Sequence, residues 1–206
     1  MIKRLLDCNA SDFIKMKKSD ILESIAASEG RVLVSEIIGM YDPTLHSISN
    51  AELAAAFGAE VTMLSTSTSK EADAKRLGAT HFINMRDEAA TTKNKNQFDV
   101  IINTISAQHD INDYVSLLKL DGTMVMVGIP PEDPTFHVSG LISRRKAIAG
   151  SMIGGAKETQ EMLDFCAEKN IVSDVEVIAM KDINTAYERM MKGDVRYRFV
   201  IDMSTL

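Results

Sequence analysis

Strand-length apolar runs alternate with helix-period segments along most of this chain, and that alternation leaves few folds open to it. The runs fall at 31–37, 60–65, 81–84, 100–105, 122–128, 147–152 and 198–203. Several are nearly continuous in Val, Ile, Leu and Met, as strands are when helices cover both faces of a sheet. Segments with helical spacing lie between them, at 50–57, 69–77, 110–118, 158–168 and 183–191. The order predicts a doubly wound α/β domain with a mostly parallel sheet.

Local signals support these boundaries. Ser49-Asn50-Ala51-Glu52 and Thr68-Ser69-Lys70-Glu71 have the form of capping boxes, a hydroxyl followed three residues on by a carboxylate. Gly58 and Gly78 stand just past two of the helices, where a left-handed residue closes the last turn. The first thirty residues differ. Segments 9–16 and 19–28 read as short polar helices, a helical lead-in that ends at Gly30. The expected organisation is therefore a helical segment over 1–30 and one α/β domain over 31–206.

Composition narrows the function. With 206 residues and a net charge of -6, the chain can bury a core without disulfides and shows no basic run suited to nucleic acid. No apolar run approaches the length of a membrane span, and Met1-Ile2-Lys3-Arg4-Leu5-Leu6-Asp7 is too polar for a signal peptide. Two distant cysteines, Cys8 and Cys166, suit a reduced compartment. The expectation is a cytoplasmic protein without nucleic-acid or membrane partners.

From Ala56 onward a specific resemblance appears. Ala56-Phe57-Gly58-Ala59-Glu60, Ser65-Thr66-Ser67-Thr68-Ser69-Lys70, Arg76-Leu77-Gly78-Ala79 and Phe98-Asp99-Val100-Ile101-Ile102-Asn103-Thr104 stand in order. Leu120-Asp121-Gly122-Thr123, Val127-Gly128-Ile129-Pro130-Pro131, Gly150-Ser151-Met152-Ile153-Gly154-Gly155 and Tyr197-Arg198-Phe199-Val200-Ile201-Asp202 continue it. This part resembles the nucleotide-binding half of NADP-dependent, zinc-type alcohol dehydrogenases, in their cinnamyl-alcohol-dehydrogenase-like branch. The resemblance implies a Rossmann-like fold.

The front does not fit that family. Where a GxGxxG turn belongs, the chain carries Ile38-Gly39-Met40-Tyr41-Asp42-Pro43-Thr44-Leu45-His46-Ser47-Ile48. Leu5-Leu6-Asp7-Cys8-Asn9-Ala10-Ser11-Asp12 and Ser28-Glu29-Gly30-Arg31 are similar to the start of an uncharacterised, TIM-barrel-like bacterial family. These two resemblances imply a chimera, natural or engineered, whose βα unit over 31–58 has a different origin. Strand 31–37 would then take the place of the missing first strand, beside 60–65.

A Rossmann site needs an anion cradle, a ribose reader and a shelf for the nicotinamide. Ser65, Thr66, Ser67 and Lys70 put hydroxyls and a cation where an NAD site would have a carboxylate, which suits a ribose 2′-phosphate. By spacing alone the segment is equally a helix start rich in capping residues. Asn103 and Thr104 end another strand on the same rim, where such sheets bind ligands, and the resemblance adds Val127, Gly128 and Ile129 with Ser151, Met152 and Ile153 as backbone along the cofactor. The cradle is compromised by side chains and by Asp42, so NADP affinity is expected to be weak or absent.

No catalytic residue is assigned. The family's zinc ligands come mostly from a catalytic domain not matched here, and Cys8 and Cys166 cannot complete either of its zinc sites. His46, His81, His109 and His137 have no paired ligand spacing and read as surface or loop residues. The expectation is no zinc and no independent hydride transfer. The alternative is a ligand-free, self-associating α/β module. In either case the apolar strand 147–152 lacks the charges or proline that blunt an edge, and predicts a homodimer.

Overall fold

The computed structural model describes residues 31–35 and 50–206, apart from 153, 193, 196 and 197. The expected helices at 9–16 and 19–28 and the segment 38–48 lie outside the described residues. Six strands form one sheet in which every neighbouring pair is parallel: β1 (Arg31–Ser35), β2 (Glu60–Ser65), β3 (His81–Asn84), β4 (Phe98–Asn103), β5 (Leu118–Met126) and β6 (Ala147–Gly150). Their spatial order is β3-β2-β1-β4-β5-β6, that of a doubly wound Rossmann-like sheet. The first strand is central: Val32 pairs with Val61 on one side and with Val100 on the other. The expectation that it lies beside 60–65 holds.

Among the described residues seven α-helices connect and flank these strands: α1 (Asn50–Ala56), α2 (Glu71–Arg76), α3 (Glu88–Lys93), α4 (Ile111–Leu117), α5 (Val138–Ile142), α6 (Ala156–Lys169) and α7 (Ile183–Met191). After α6 the chain leaves the main sheet. β7 (Glu176–Ala179) and β8 (Phe199–Asp202) form a separate parallel pair bracketing α7. Arg189 of α7 ties this unit together, bonding Glu176 at 2.8 Å and Asp194 at 2.9 Å with its guanidinium 4.9 Å from the Phe199 ring centre.

Side-chain chemistry explains the starts of three helices. Asp87 accepts the amides of Ala89 and Ala90 at 3.0 and 3.1 Å and so opens α3, and Asp110 accepts that of Asn112 at 2.9 Å to open α4. Glu158 reaches back to the Gly155 amide at 2.9 Å, which starts α6 at Ala156 rather than at 158. The box expected at Thr68–Glu71 does not form. A 3-10 turn over Thr68–Lys70 precedes α2, so Glu71 is the first α-helical residue and binds Lys75 one turn ahead at 2.8 Å. Gly58 and Gly78 have φ of +87° and +90°, as their places past α1 and α2 require.

Strand ends also move for identifiable reasons. β4 stops at Asn103 because the Asn103 side chain captures the Ile105 amide at 3.1 Å. β5 stops at Met126 because the amides of Val127 and Gly128 both turn to the Asn103 carbonyl, at 2.8 and 3.0 Å. At its other end β5 runs back to Leu118 through a register shift opposite Phe98–Val100.

Consecutive residues on the inner strands are buried on opposite faces, as a doubly covered sheet demands. Leu64, Ile101 and Met124 join Phe98, Ile111 and Leu117 on the α4 face. Met63, Val61 and Ile102 join Ala51, Ala54, Ala74 and Leu77 beneath α1 and α2. The small alanines let α1 approach the sheet closely. Phe57 then stacks on Phe165, with ring centres 4.4 Å apart, and docks α6 against the end of α1.

Ile101 is fully buried at the middle of β4. Ile101→Ala should lower the unfolding free energy by about 2–5 kcal/mol through lost burial and a residual cavity. Val177→Ala, on an exposed strand position, should change it by less than about 0.5 kcal/mol. Urea denaturation checks both, and a cost below about 1 kcal/mol at Ile101 would contradict the packing described.

Candidate functional site

Because all six strands run the same way, their carboxyl ends share one rim. The register fixes the alignment: Ser65 lies opposite Asn84, Asn103 opposite both Ser35 and Met126, and Met126 opposite Gly150. Strand order reverses between β1 and β4, so the Ser35–Asn103 pair marks the crevice where such sheets take ligands. Ser65, Thr66, Ser67 and Lys70 follow β2, and Asn103 and Thr104 end β4. Val127, Gly128 and Ile129 follow β5, and Ser151 follows β6. The fold brings these residues to one edge. Ile153 lies outside the described residues.

At the end of β2 the chemistry is hydroxyl and cation. Ser65 is buried, and its Oγ accepts the Ser67 amide at 3.2 Å. Thr66, Ser67 and Lys70 are half-buried, and the hydroxyls of Ser67 and Ser69 bond each other at 2.8 Å. The first carboxylate after the strand, Glu71, is held by Lys75 at 2.8 Å, with i,i+4 helical spacing. The segment can therefore present neutral donors and a positive charge to an anion without an opposing carboxylate before residue 71.

Between β4 and β5 the rim is stitched by one residue. Asn103 is fully buried. Its carbonyl takes the Val127 and Gly128 amides, its Oδ1 takes the Ile105 amide, and its Nδ2 lies 2.8 Å from His109 Nε2. The side chain is thus spent on shaping the rim, and the surface here is made by backbone. Gly128 shows how close that backbone comes: a Cβ on it would stand 2.5 Å from the Ile105 carbonyl oxygen. Any side chain at 128 would force the two turns apart.

Beyond these turns the rim is apolar. Ile129 is 77% exposed and Met152 is 79% exposed. They follow neighbouring strands, and together with the Gly128 backbone they offer a surface suited to a planar ring. Met152 lies in the Ser151–Ile153 segment that the sequence assigns to the cofactor shelf, and the strand ends before it, at Gly150. His109, by contrast, reads from the sequence as a surface or loop residue. Its ring instead contacts Asn103 and Ala107 and stands edge-on to Tyr114, with ring centres 5.3 Å apart.

Among the described residues no group of three or more His, Cys, Asp or Glu side chains is arranged to hold a metal ion. Cys166 is buried on α6, and that burial, with a smaller contribution from Glu52, pushes its thiol up and away from thiolate character. Among the same residues no helix is long and apolar enough to cross a membrane.

Comparison with known proteins follows this geometry. The family profile described as zinc-binding dehydrogenase matches residues 48–168. The chain is 52% identical over 156 residues to the aldehyde reductase YahK of Escherichia coli (strain K12), covering 75% of this chain and 45% of that protein. It is 47% identical over 155 residues to the NADP-dependent alcohol dehydrogenase C 1 of Mycolicibacterium smegmatis, covering 75% of this chain and 44% of that protein. The chain thus spans less than half the length of these curated relatives. Among solved structures it resembles the cinnamyl alcohol dehydrogenase SbCAD4 of Sorghum bicolor, with a TM-score of 0.75 and 36% identity over 89% of this chain and 52% of that one. It also resembles the CAD of Helicobacter pylori complexed with NADP(H), with a TM-score of 0.72 and 33% identity over 93% of this chain and 53% of that one. The chain belongs to the zinc-binding dehydrogenase family, of which it carries the Rossmann-like, nucleotide-binding half.

Proposed function

We propose that this chain is an NADP-type dinucleotide-binding domain derived from a zinc-dependent alcohol dehydrogenase, without independent hydride-transfer activity. One observation carries the proposal: the Ser65–Lys70 segment, free of carboxylates, shares its rim with the Gly128 turn and the exposed Ile129 and Met152. Ser65, Thr66, Ser67 and Lys70 supply the ribose 2′-phosphate with hydroxyls and a cation. Thr104, Val127, Gly128, Ile129 and Ser151 line the nicotinamide side, Ile153 is assigned to it from the sequence alone, and Asn103 holds that side in shape. When bound, the dinucleotide would supply a hydride acceptor or donor, and the chain's own part is to position it.

The reading assigns no resident zinc and no catalytic residue. Its support is the donor set: Cys166 is buried with a raised thiol, and the family profile covers only the nucleotide-binding half. Affinity is expected to be weak, since 38–48 carries Asp42 in place of a glycine-rich diphosphate turn. In the same reading the first 58 residues come from a different, TIM-barrel-like parent, making the chain a chimera that works in the cytoplasm. The profile's start at residue 48 and the absence of GxGxxG support a different origin for the residues before 48, with the junction over 48–58 fitting either parent. The βα unit over 31–58 then supplies β1 and α1 to the domain.

The domain is also proposed to pair with a second copy through β6. This strand ends the sheet: one edge pairs with β5 in register from Ala147 to Gly150, and the opposite edge faces outward. Two of the three cations before the strand are engaged elsewhere: Arg145 makes a two-pronged bond to Asp121, at 2.8 and 2.6 Å, and Lys146 donates to the Val115 carbonyl at 2.7 Å. Two copies meeting about a two-fold axis would satisfy each other's free backbone groups.

Titration of NADPH fluorescence tests the binding reading. Lys70→Ala should weaken NADPH binding about tenfold or more, the loss expected of one charge-assisted bond, and leave NADH binding unchanged. Equal affinity in wild type and variant would remove the phosphate assignment. No measurable binding by the wild type would favour the ligand-free, self-associating module.

Light scattering on the folded protein should give a dimer mass. Ala149→Lys should shift it toward monomer by placing like charges near the two-fold axis. A monomer mass for the wild type would dismiss the edge-strand assembly.

A further inference from the structure

We propose that His109 is a positioning residue: its neutral, Nδ1-protonated form locks the carboxyl rim between β4 and β5, and its protonation unlocks it. The inference goes beyond the dinucleotide reading and stands whether or not that ligand binds.

The hydrogen-bond directions around His109 follow one from another. The Ile105 amide is a donor only, so the Asn103 atom 3.1 Å from it is the oxygen Oδ1. The other end of that amide, Nδ2, is also a donor only, and it lies 2.8 Å from His109 Nε2. Nε2 must therefore accept and carry no proton. The proton belongs on Nδ1, which faces the Ala107 carbonyl at 2.9 Å and donates to it. A closed circuit results: Ile105 N–H to Asn103, Asn103 to His109, and His109 to Ala107. It folds the 103–109 turn upon itself.

The circuit extends beyond its own turn. The carbonyl of the same Asn103 takes the amides of Val127 and Gly128 at the end of β5. Gly128 approaches the Thr104–Ile105 backbone too closely for any side chain. A movement of Asn103 is consequently passed to both turns that border the crevice. Protonating His109 adds an N–H at Nε2 and sets two donors face to face. Flipping the Asn103 amide would repair that contact only by setting Nδ2 against the Ile105 amide, another donor. Neither orientation satisfies both partners, so the circuit opens.

Two titratable groups of the described residues stand next to the ring, Asp110 as its neighbour in sequence and Tyr114 across an edge-on contact. Asp110, at the start of α4, is held below the usual carboxylate range mainly by hydrogen bonds from Asn112, with smaller attractions to His137 and His109. Tyr114 of α4 stands edge-on to the ring, and burial, helped by Asp113, pushes its phenol up to about 12, so it stays neutral across the imidazole range.

Long-range proton–nitrogen spectra of the full chain test the proposal. In the neutral state His109 should show the Nδ1–H tautomer. On acidification the amide shifts of Ile105 and Gly128 should follow the same midpoint as the His109 ring. Protection of the Ile105 amide from exchange should fall about tenfold, as loss of one hydrogen bond of ordinary net strength implies. His109→Gln can present an oxygen to Asn103 Nδ2 and should hold the neutral-state shifts at every pH, whereas His109→Leu should not. An Nε2–H tautomer, or Ile105 and Gly128 amides that ignore the imidazole titration, would overturn the proposal. So would retention of that titration in His109→Gln. The wild-type spectra decide the matter alone if a variant fails to fold.

Discussion

The backbone pairing of β1 on both sides is the interaction on which the rest depends. A parallel sheet cannot tolerate a gap at its centre, because β2 and β4 would each be left with an unpaired row of amides and carbonyls. Arg31–Ser35 fills that place, pairing with β2 from Arg31 to Val34 and with β4 from Val32 to Ser35. The two core clusters lie on opposite faces of the sheet that this strand completes. The carboxyl rim follows from the same pairing, since the reversal of strand order occurs between β1 and β4.

The rim separates tasks among residues of similar polarity. Ser65 and Asn103 are polar and buried, and each accepts an amide two residues ahead; the Ser65 hydroxyl keeps its own O–H to donate. Thr66, Ser67 and Lys70 are half-buried beyond them, where a ligand could meet them. Ile129 and Met152 stand exposed where an apolar side chain gains nothing from water. The pattern is a surface with one anionic and one planar apolar end provided for, which is why a dinucleotide is the ligand class proposed.

Much of the fold was legible because periodicity and caps report local physics. β2 and β3 and the helix α7 lie at the expected residues, and the two glycines past α1 and α2 take the left-handed conformation expected of them. The remainder depends on tertiary contacts. α3 has only Ala89 and Ala90 to mark an apolar face, and its signal was the cap Asp87. α5 is five residues long and is anchored by Asn112, which accepts the His137 amide at 2.8 Å from twenty-five positions away. β7 was missed because Val175 and Val177 alternate with Asp174 and Glu176 where the strand begins, and Glu176 finds Arg189 only once α7 has folded back. At the site, the order of segments predicted which residues share the rim. It held no signal for His109, whose partners Asn103, Ala107 and Tyr114 form no known spacing.

Hydrogen–deuterium exchange along β1 tests the central claim most directly, because amide protection reports pairing strand by strand. Amides in the middle of a six-stranded sheet should open only with global unfolding. Those of Val32 to Ser35 should therefore exchange as slowly as those of Val100 to Ile102 on β4, and more slowly than those of the edge strand β3. Exchange of the Val32–Ser35 amides at the rate of an unstructured peptide, with β4 still protected, would contradict the account, since the sheet would then hold together without its central strand.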